Sequence, residues 1–146
     1  MKIGQLASAT DTPVETIRYY EREGLLPVAP RTEGNYRVYD EAHVQRLSFI
    51  RHCRSLDMAL DEIRTLLRFK DAPDADCAGV NDLLDAHIGH VAQRIRELRA
   101  LERQLVDLRA QCPVAHATED CGILKGLASE PAPHVPGRTR HVHGVH

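Results

Sequence analysis

Four cysteines are the residues of this 146-residue chain with the most specific chemistry. Cys77, Cys112 and Cys121 have polar neighbours, whereas Cys53 belongs to an apolar helical pattern. A thiolate is a soft ligand, so three thiolates converging on one ion favour a soft or borderline cation over magnesium or calcium. A small buried hydrophobe is the alternative for any one cysteine, and we assign Cys53 to it. Redox sensing by the Cys112 and Cys121 pair is a further alternative, which leaves Cys77 unexplained.

Histidines form a second group of candidate ligands. His87 and His90 are three residues apart near the start of a long helical pattern, and further histidines crowd the end of the chain. Imidazoles at this spacing can share an ion, which makes a second, weaker metal site possible. Its candidate ligands are His87, His90, His141, His143 and His146. The alternative is a disordered tail that binds metal loosely, with the helical histidines solvated.

The first part of the chain predicts two short helices. One covers residues 3–9, and a second follows after a three-residue polar turn, which gives the pair the dimensions of a helix-turn-helix. Thr12 is expected to cap the second helix, with Pro13 in its first turn and Glu15 completing a capping box. Gly24 is expected to end this helix.

A small wing is expected to follow the helix pair. Residues 36–39 alternate in polarity as a short strand does, which predicts a hairpin. Asp40 is expected to cap a third helix that reaches about Leu56, and a fourth helix covers about residues 60–69. The alternative for the helix pair and wing is a solvated helical pair with an ordinary loop.

A long helix is predicted from about residue 80 to residue 109. Its apolar residues recur at steps of three and four, at Leu84, Ile88, Val91, Ile95, Leu98, Leu101, Leu105 and Leu108. These residues form a narrow apolar seam along a helix about 45 Å long, and such a seam is best buried against another long helix. The sequence predicts no second helix of this length. We therefore expect a homodimer. The alternative is that the seam folds back onto the third and fourth helices.

The dimer suggests how distant cysteines can meet. If the two long helices run antiparallel, Cys77 of one copy is carried to Cys112 and Cys121 of the other, and one site forms at each end. The expected organisation is a winged helix-turn-helix at 1–70, a linker with one metal ligand at 71–79, a dimerisation helix at 80–110, a metal-binding loop and short helix at 111–128, and a disordered His-rich tail at 129–146.

Composition excludes several classes of protein. Apolar residues make up 42% of the chain, charged residues 27% and aromatic residues 4%, which fits a helix-rich soluble protein. No apolar run approaches the roughly 18–20 residues of a membrane span, so we expect a cytoplasmic protein with no membrane partner. The net charge of −2 argues weakly against nucleic acid. An enzyme is not expected, because the chain lacks a phosphate-binding glycine loop and a nucleophile with its base.

The chain resembles the mercury-resistance regulator (MerR) family in four short segments. They are Ile3-Gly4-Gln5-Leu6-Ala7, Thr16-Ile17-Arg18-Tyr19-Tyr20-Glu21, Gly24-Leu25-Leu26-Pro27 and Asn35-Tyr36-Arg37-Val38-Tyr39. The likeness is greatest to the cadmium- and lead-responsive branch, because Asp76-Cys77, the Cys112 to Cys121 loop and Gly122-Ile123-Leu124 stand in the places that branch leads one to expect. The tail after Ser129 lies outside the shared pattern.

For DNA, the resemblance implies a homodimer on a double-stranded promoter with the second helix in the major groove. The residues expected near bases and phosphates are Thr16, Arg18 and Tyr19, and those expected to hold the backbone are Tyr20, Arg22, Arg37 and Tyr39. Similar regulators bend and untwist the promoter when metal binds, so that RNA polymerase engages both promoter elements.

For the metal, the resemblance implies Cys77, Cys112 and Cys121 as ligands of a sensed Cd(II) or Pb(II) ion. Copper(I) sensors of the family need only two thiolates. Mercury sensors also use three, so Hg(II) remains an alternative, and His116 in the loop offers a borderline nitrogen donor that keeps Zn(II) open. Sensing of a drug or oxidant is another alternative, although a drug sensor needs a larger C-terminal domain. A cytosolic metal buffer is the alternative from another class, although it would not need the winged-helix segments.

Overall fold

A computed structural model describes residues 1–129 and Pro131. Its α-helices are α1 (Ile3–Thr10), α2 (Val14–Arg22), α3 (Glu41–Ser55), α4 (Leu60–Lys70), α5 (Ala78–Ala110) and α6 (Gly122–Ala128), with one 3₁₀ turn at Thr118–Asp120 before α6. The chain divides into an N-terminal unit, residues 1–83, and a C-terminal unit that begins at Leu84 within α5. The expected fold class, mainly helical with a helix-turn-helix and one long helix, is confirmed.

The N-terminal unit is built on one apolar core that all four of its short helices share. The core side chains that are at most 2% exposed include Leu6, Ile17, Leu25, Leu26, Tyr39, Leu47, Ile50, Ile63 and Leu67. Cys53 belongs to the same cluster, and its burial raises the pKa of the thiol. This placement agrees with its assignment as a small buried hydrophobe.

The start of α2 differs from the sequence prediction, whereas its end agrees. Pro13 occupies the cap position without a side-chain cap, and the Thr12 hydroxyl donates to the Thr10 carbonyl at 3.0 Å. The predicted Thr12 and Glu15 capping box is therefore wrong, because the hydroxyl is already used by the preceding turn. Gly24 has a φ of +73° and ends the helix as predicted. It turns the chain from α2 toward the wing.

The wing contains less regular structure than expected. Among residues 1–129 the structure has no named strand, only an isolated antiparallel bridge between Arg31 and Arg37. Two flanking backbone hydrogen bonds, Thr32 N to Tyr36 O and Val38 N to Pro30 O, are both 2.9 Å long. The prediction of a strand at residues 36–39 is wrong, because the tight turn leaves too few facing residues to extend the ladder. The hairpin itself is present.

The cap of α3 is as predicted, since the Asp40 side chain accepts a hydrogen bond from the backbone N–H of His43 at 3.3 Å. The hydrogen bond between the Asp40 carboxylate and the His43 side chain lowers the pKa of Asp40. This cap fixes the point at which the wing ends and α3 begins.

The C-terminal unit consists of most of α5, the following loop and α6. Large apolar side chains of α5 remain 39–65% exposed, namely Leu84, Ile88, Val91, Ile95, Leu98, Leu105 and Val106. Contiguous exposure of this kind marks an interaction surface. None of the helices in the described part of the chain has the length and apolar character needed to cross a bilayer.

Two glycines allow a test of the turn that ends α2. A Cβ at either Gly4 or Gly24 would meet open space, but only Gly24 has a left-handed backbone. Gly24→Ala should lower the free energy of unfolding by about 1–2 kcal/mol, because an L-residue is strained there. Gly4→Ala, within α1, should raise it by about 0.5–1 kcal/mol. Urea unfolding of both variants checks these opposite signs, and equal effects would contradict the role given to Gly24.

Candidate functional site

The outer face of α2 and the wing enclose a basic groove of about 560 Å³. Its cationic lining residues are Lys2, Arg18, Arg22, Arg31 and Arg37. Glu21 is the acidic residue of the lining, and its carboxylate accepts a hydrogen bond from the Tyr39 hydroxyl at 2.7 Å. The groove therefore offers an excess of positive charge to an anionic partner, although the whole chain has a net charge of −2.

Tyr39 holds the wing against α2. Burial, and then its hydrogen bond with the Glu21 carboxylate, raise the pKa of Tyr39 to about 12. Its backbone pairs with the start of the chain, because Tyr39 N donates to Met1 O at 2.7 Å and the Met1 ammonium donates to Tyr39 O at 2.6 Å. Tyr39 thus determines the spacing between the wing and α2.

The predicted DNA contacts separate into exposed and buried side chains. Arg18 and Arg22 are exposed, and the Arg22 guanidinium lies 5.8 Å from the centre of the half-buried Tyr19 ring. Arg37 is half-buried and donates to the Ala29 carbonyl at 2.8 Å. By contrast, the residues 2–6% exposed are Thr16, Tyr20 and Tyr39. Little of these three side chains is accessible in this structure, and their contacts with DNA stay a prediction.

Two arginines of α3 donate hydrogen bonds to backbone carbonyl groups of other segments. Arg51 donates to Thr10 O at 2.9 Å, at the end of α1. Arg54 donates to Met58 O at 3.0 Å, just after α3 ends. Sequence reasoning missed these roles, because no local pattern distinguishes an arginine that caps a distant carbonyl from one that faces solvent.

Cys112 and Cys121 are brought together in the C-terminal unit. A hydrogen bond between the two thiols raises the pKa of Cys112, whereas the backbone N–H of Leu124 lowers the pKa of Cys121. The Cys112 sulfur also lies 3.7 Å from Nε2 of His116. Cys112 is thus near both Cys121 and His116, and the loop offers two sulfurs and one imidazole nitrogen. These donors suit a soft or borderline cation, which is the class of metal that the sequence indicated.

Two glycines hold this loop against the end of α5. A Cβ on Gly122 would lie 2.3 Å from the Gln111 carbonyl oxygen, and one on Gly126 would lie 2.5 Å from Oε1 of the same residue. Arg109 donates to the Cys112 carbonyl at 2.8 Å and fixes the other side of the loop. Sequence reasoning used Gly122 only as part of the family resemblance and missed Gly126, although their four-residue spacing on one face of α6 was a visible signal.

The other candidate metal ligands, Cys77 and the histidines of the second site, lie outside the loop that holds Cys112 and Cys121. Cys77 is exposed and lies in the N-terminal unit, at the residue before α5. His87 is buried and His90 is exposed, with ring centroids 6.3 Å apart. The tail histidines of the candidate second site, His141, His143 and His146, lie outside the described residues.

Comparisons with known proteins identify the family. A model of the MerR HTH family of regulatory proteins matches residues 1–70, and a model of the MerR DNA-binding region matches residues 44–108. The chain is 52% identical over 109 residues to a ZntR homologue, an HTH-type transcriptional regulator of Haemophilus influenzae, which covers 75% of this chain and 81% of that protein. It is 39% identical to a mercuric resistance operon regulatory protein of Bacillus cereus, over 86% of this chain and 96% of that protein.

The chain belongs to the MerR family. It is therefore a metal-responsive, DNA-binding transcription regulator and not an enzyme. A solved structure of the transcription regulator PbrR691 from Ralstonia metallidurans CH34, in complex with lead(II), is 55% identical to it with a TM-score of 0.78. That likeness covers 87% of this MerR-family chain and 98% of PbrR691.

Arg18 is the exposed groove residue best suited to a test of the DNA surface. Arg18→Ala should weaken binding to a duplex selected from a random pool by the wild-type protein. The slope of the logarithm of the DNA-binding constant against the logarithm of the salt concentration should fall in magnitude by about one. Metal affinity should not change. Arg68→Ala is the matched control, because Arg68 is exposed on α4, lies outside the groove lining, and donates to the neighbouring Thr65 hydroxyl. Equal duplex affinity and salt slope for both variants, measured by fluorescence anisotropy, would refute this surface.

Proposed function

We propose that this chain is a homodimeric activator of a heavy-metal resistance promoter, responding to Cd(II) or Pb(II). The observation that carries the proposal is the Cys112 and Cys121 thiol pair, which follows α5 in a chain whose N-terminal unit presents a basic groove. The 55% identity to a regulator crystallised with lead(II) supports the choice of metal. The protein acts in the cytoplasm on double-stranded promoter DNA, and RNA polymerase is its functional partner at that promoter.

The metal site is proposed to form between two copies of the chain. Cys112 and Cys121 supply two thiolates from the C-terminal unit of one copy, and the exposed Cys77 of the other copy supplies the third. The exposed apolar stripe of α5 supports this dimer, since its burial by a second α5 stabilises the pair of long helices. Binding of metal then biases the arrangement of the two DNA-binding units and so distorts the promoter.

Arg18, Tyr19, Arg22 and Arg37 are the proposed DNA contacts, because these predicted residues keep some surface exposed. Thr16, Tyr20 and Tyr39 are proposed to position them. A weaker second metal site at His87 and His90, completed by His141, His143 and His146, remains a proposal that rests on the sequence.

Zinc response is the second candidate function, and His116 is the observation that favours it. With Zn–S and Zn–N bonds of ~2.3 and ~2.0 Å, a tetrahedral ion separates its sulfur and nitrogen ligands by about 3.5 Å. The Cys112 sulfur and His116 Nε2 are 3.7 Å apart before any rearrangement. The identity of 52% to a ZntR homologue supports the same candidate. A mercury-responsive regulator, which would use the three thiolates alone, is a further candidate, supported by the 39% identity to the mercuric resistance operon regulatory protein of Bacillus cereus.

His116 separates these candidates. His116→Ala should lower Zn(II) affinity about 10-fold or more if the imidazole is a ligand, because the loss of even an outer ligand partner has effects of this size. Affinity for Pb(II) and Cd(II), supported by thiolates, should change less than threefold. Competition titrations with a chromophoric chelator give these affinities. His52→Ala, which alters an exposed histidine of α3, is the control, and a parallel loss of affinity for all three metals would count against a zinc-specific role.

A mixed dimer tests the shared three-thiolate site. Neither Cys77→Ser nor Cys112→Ser homodimers should bind Cd(II) tightly, because every site lacks one thiolate. A heterodimer of the two variants should regain one tight site, in which Cys77 comes from one chain and Cys112 with Cys121 from the other. Thiolate-to-metal absorption during titration of isolated dimers measures the number of sites.

The matched control for this experiment is a heterodimer of Cys112→Ser and Cys121→Ser chains. Both of its ends lack a thiolate when Cys112 and Cys121 act from the same chain, so it should show no tight site. Tight binding in this control, or none in the Cys77→Ser and Cys112→Ser heterodimer, would sink the shared site.

A further inference from the structure

The Arg46 side chain joins two segments of the N-terminal unit that are far apart in sequence. Its Nε donates to the Leu25 carbonyl at 2.9 Å. Its two terminal nitrogens donate to the two carboxylate oxygens of Asp71, at 2.9 and 3.0 Å. The side chain is 19% exposed, so the guanidinium is largely enclosed. A planar fork of this kind holds both partners in a fixed orientation, which a lysine ammonium cannot reproduce.

One end of this connection lies at the exit from α2. Leu25 is completely buried and follows Gly24, the residue with the left-handed backbone that ends α2. The N–H groups of Leu25 and Leu26 both donate to Tyr20 O, at 2.9 and 3.3 Å. A displacement of the Leu25 carbonyl would therefore also displace the end of α2, the helix that lines the basic groove.

The other end of the connection lies at the start of the Cys77 linker. Asp71 is the C-cap of α4, and hydrogen bonds from Ala72 N to Phe69 O and from Ala75 N to Ala72 O fold the next residues into turns. The linker is also held where α5 begins, because Gly79 packs so closely on Phe69 that a Cβ there would lie 2.2 Å from the ring. Cys77 thus sits on a short segment attached on both sides to the end of α4.

We propose that Arg46 is a positioning residue that transmits the state of Cys77 to the DNA-binding helix α2. Metal that binds the Cys77 thiolate reorients the linker, Asp71 moves with it, and the guanidinium passes this movement to the Leu25 carbonyl. The proposal rests on the proposed metal-responsive function. Arg46 touches neither metal nor DNA in this role, and its effect lies in the coupling between the two binding events.

If Arg46 had only a structural role, its substitution would change the stability of the fold and not the coupling between metal and DNA. An ion pair whose carboxylate is 56% exposed contributes little to the stability of the fold. Breaking it should therefore leave folding nearly unchanged, whereas coupling between sites typically changes an equilibrium about 5- to 150-fold. The two roles are distinguished by measuring metal binding, DNA binding and DNA distortion separately.

The variants Arg46→Lys and Asp71→Asn provide the test. Each should bind Cd(II), followed by thiolate absorption, and a duplex selected by the wild-type protein within about threefold of wild type. With saturating Cd(II), the ratio of distorted to undistorted duplex, measured by energy transfer between dyes at its ends, should fall at least about fivefold. The double variant should lose no more than either single variant, because both changes break the same connection.

Arg64→Lys is the matched control. Arg64 makes a similar pair of contacts, donating to the Glu23 carbonyl at 2.9 Å and to Asp61 at 2.5 Å, but neither partner belongs to the Cys77 linker. Its Cd(II)-dependent distortion should equal that of wild type. Equal distortion in Arg46→Lys and Asp71→Asn would overturn the proposal, and so would a loss of duplex affinity in metal-free protein. A wild-type protein that binds no Cd(II) would instead overturn the proposed function, before any variant is compared.

Discussion

Helix α5 runs for 33 residues and leaves large apolar side chains exposed along its length, from Leu84 to Val106. Water makes this exposure unfavourable, and a narrow stripe on so long a helix is best covered by another helix of similar length. The rest of the proposed mechanism depends on this constraint. A second copy that covers the stripe brings two DNA-binding units and two sets of thiols into one assembly, so that one event at a thiol site affects both units.

The positive charge of the proposed DNA surface depends on where the arginines lie, and not on how many there are. The chain has a net charge of −2, yet Arg18 and Arg22 remain exposed in the basic groove. Arg51 and Arg54 instead donate to backbone carbonyls, at the last residue of α1 and in the segment between α3 and α4. Some arginines thus stabilise the N-terminal unit, whereas others remain exposed in its groove. A chain with a negative net charge can therefore still offer a basic surface to nucleic acid.

Helical periodicity allowed much of the fold to be predicted, because burial on one helix face leaves a repeating apolar pattern in the sequence. The helix stop at Gly24 and the cap at Asp40 were also predictable from local chemistry. The capping box at Thr12 failed because Thr10 O competes for the same hydroxyl. Contacts such as Arg46 with Asp71 could not be predicted, since they join residues 25 positions apart and follow from packing rather than from local pattern.

In the proposed mechanism, metal binding is regulatory because the three thiols are divided between two units. The pair of Cys112 and Cys121 is already formed within one unit, whereas Cys77 belongs to the other, so neither unit alone holds all three soft donors. In the proposed dimer, the free energy of the third metal–thiolate bond is available only in arrangements that bring Cys77 of one copy to the thiol pair of the other. A ligand shifts an equilibrium only by its differential affinity for the two states. An incomplete donor set in each unit supplies that difference, whereas a complete site within one unit would bind metal equally well in every arrangement of the dimer.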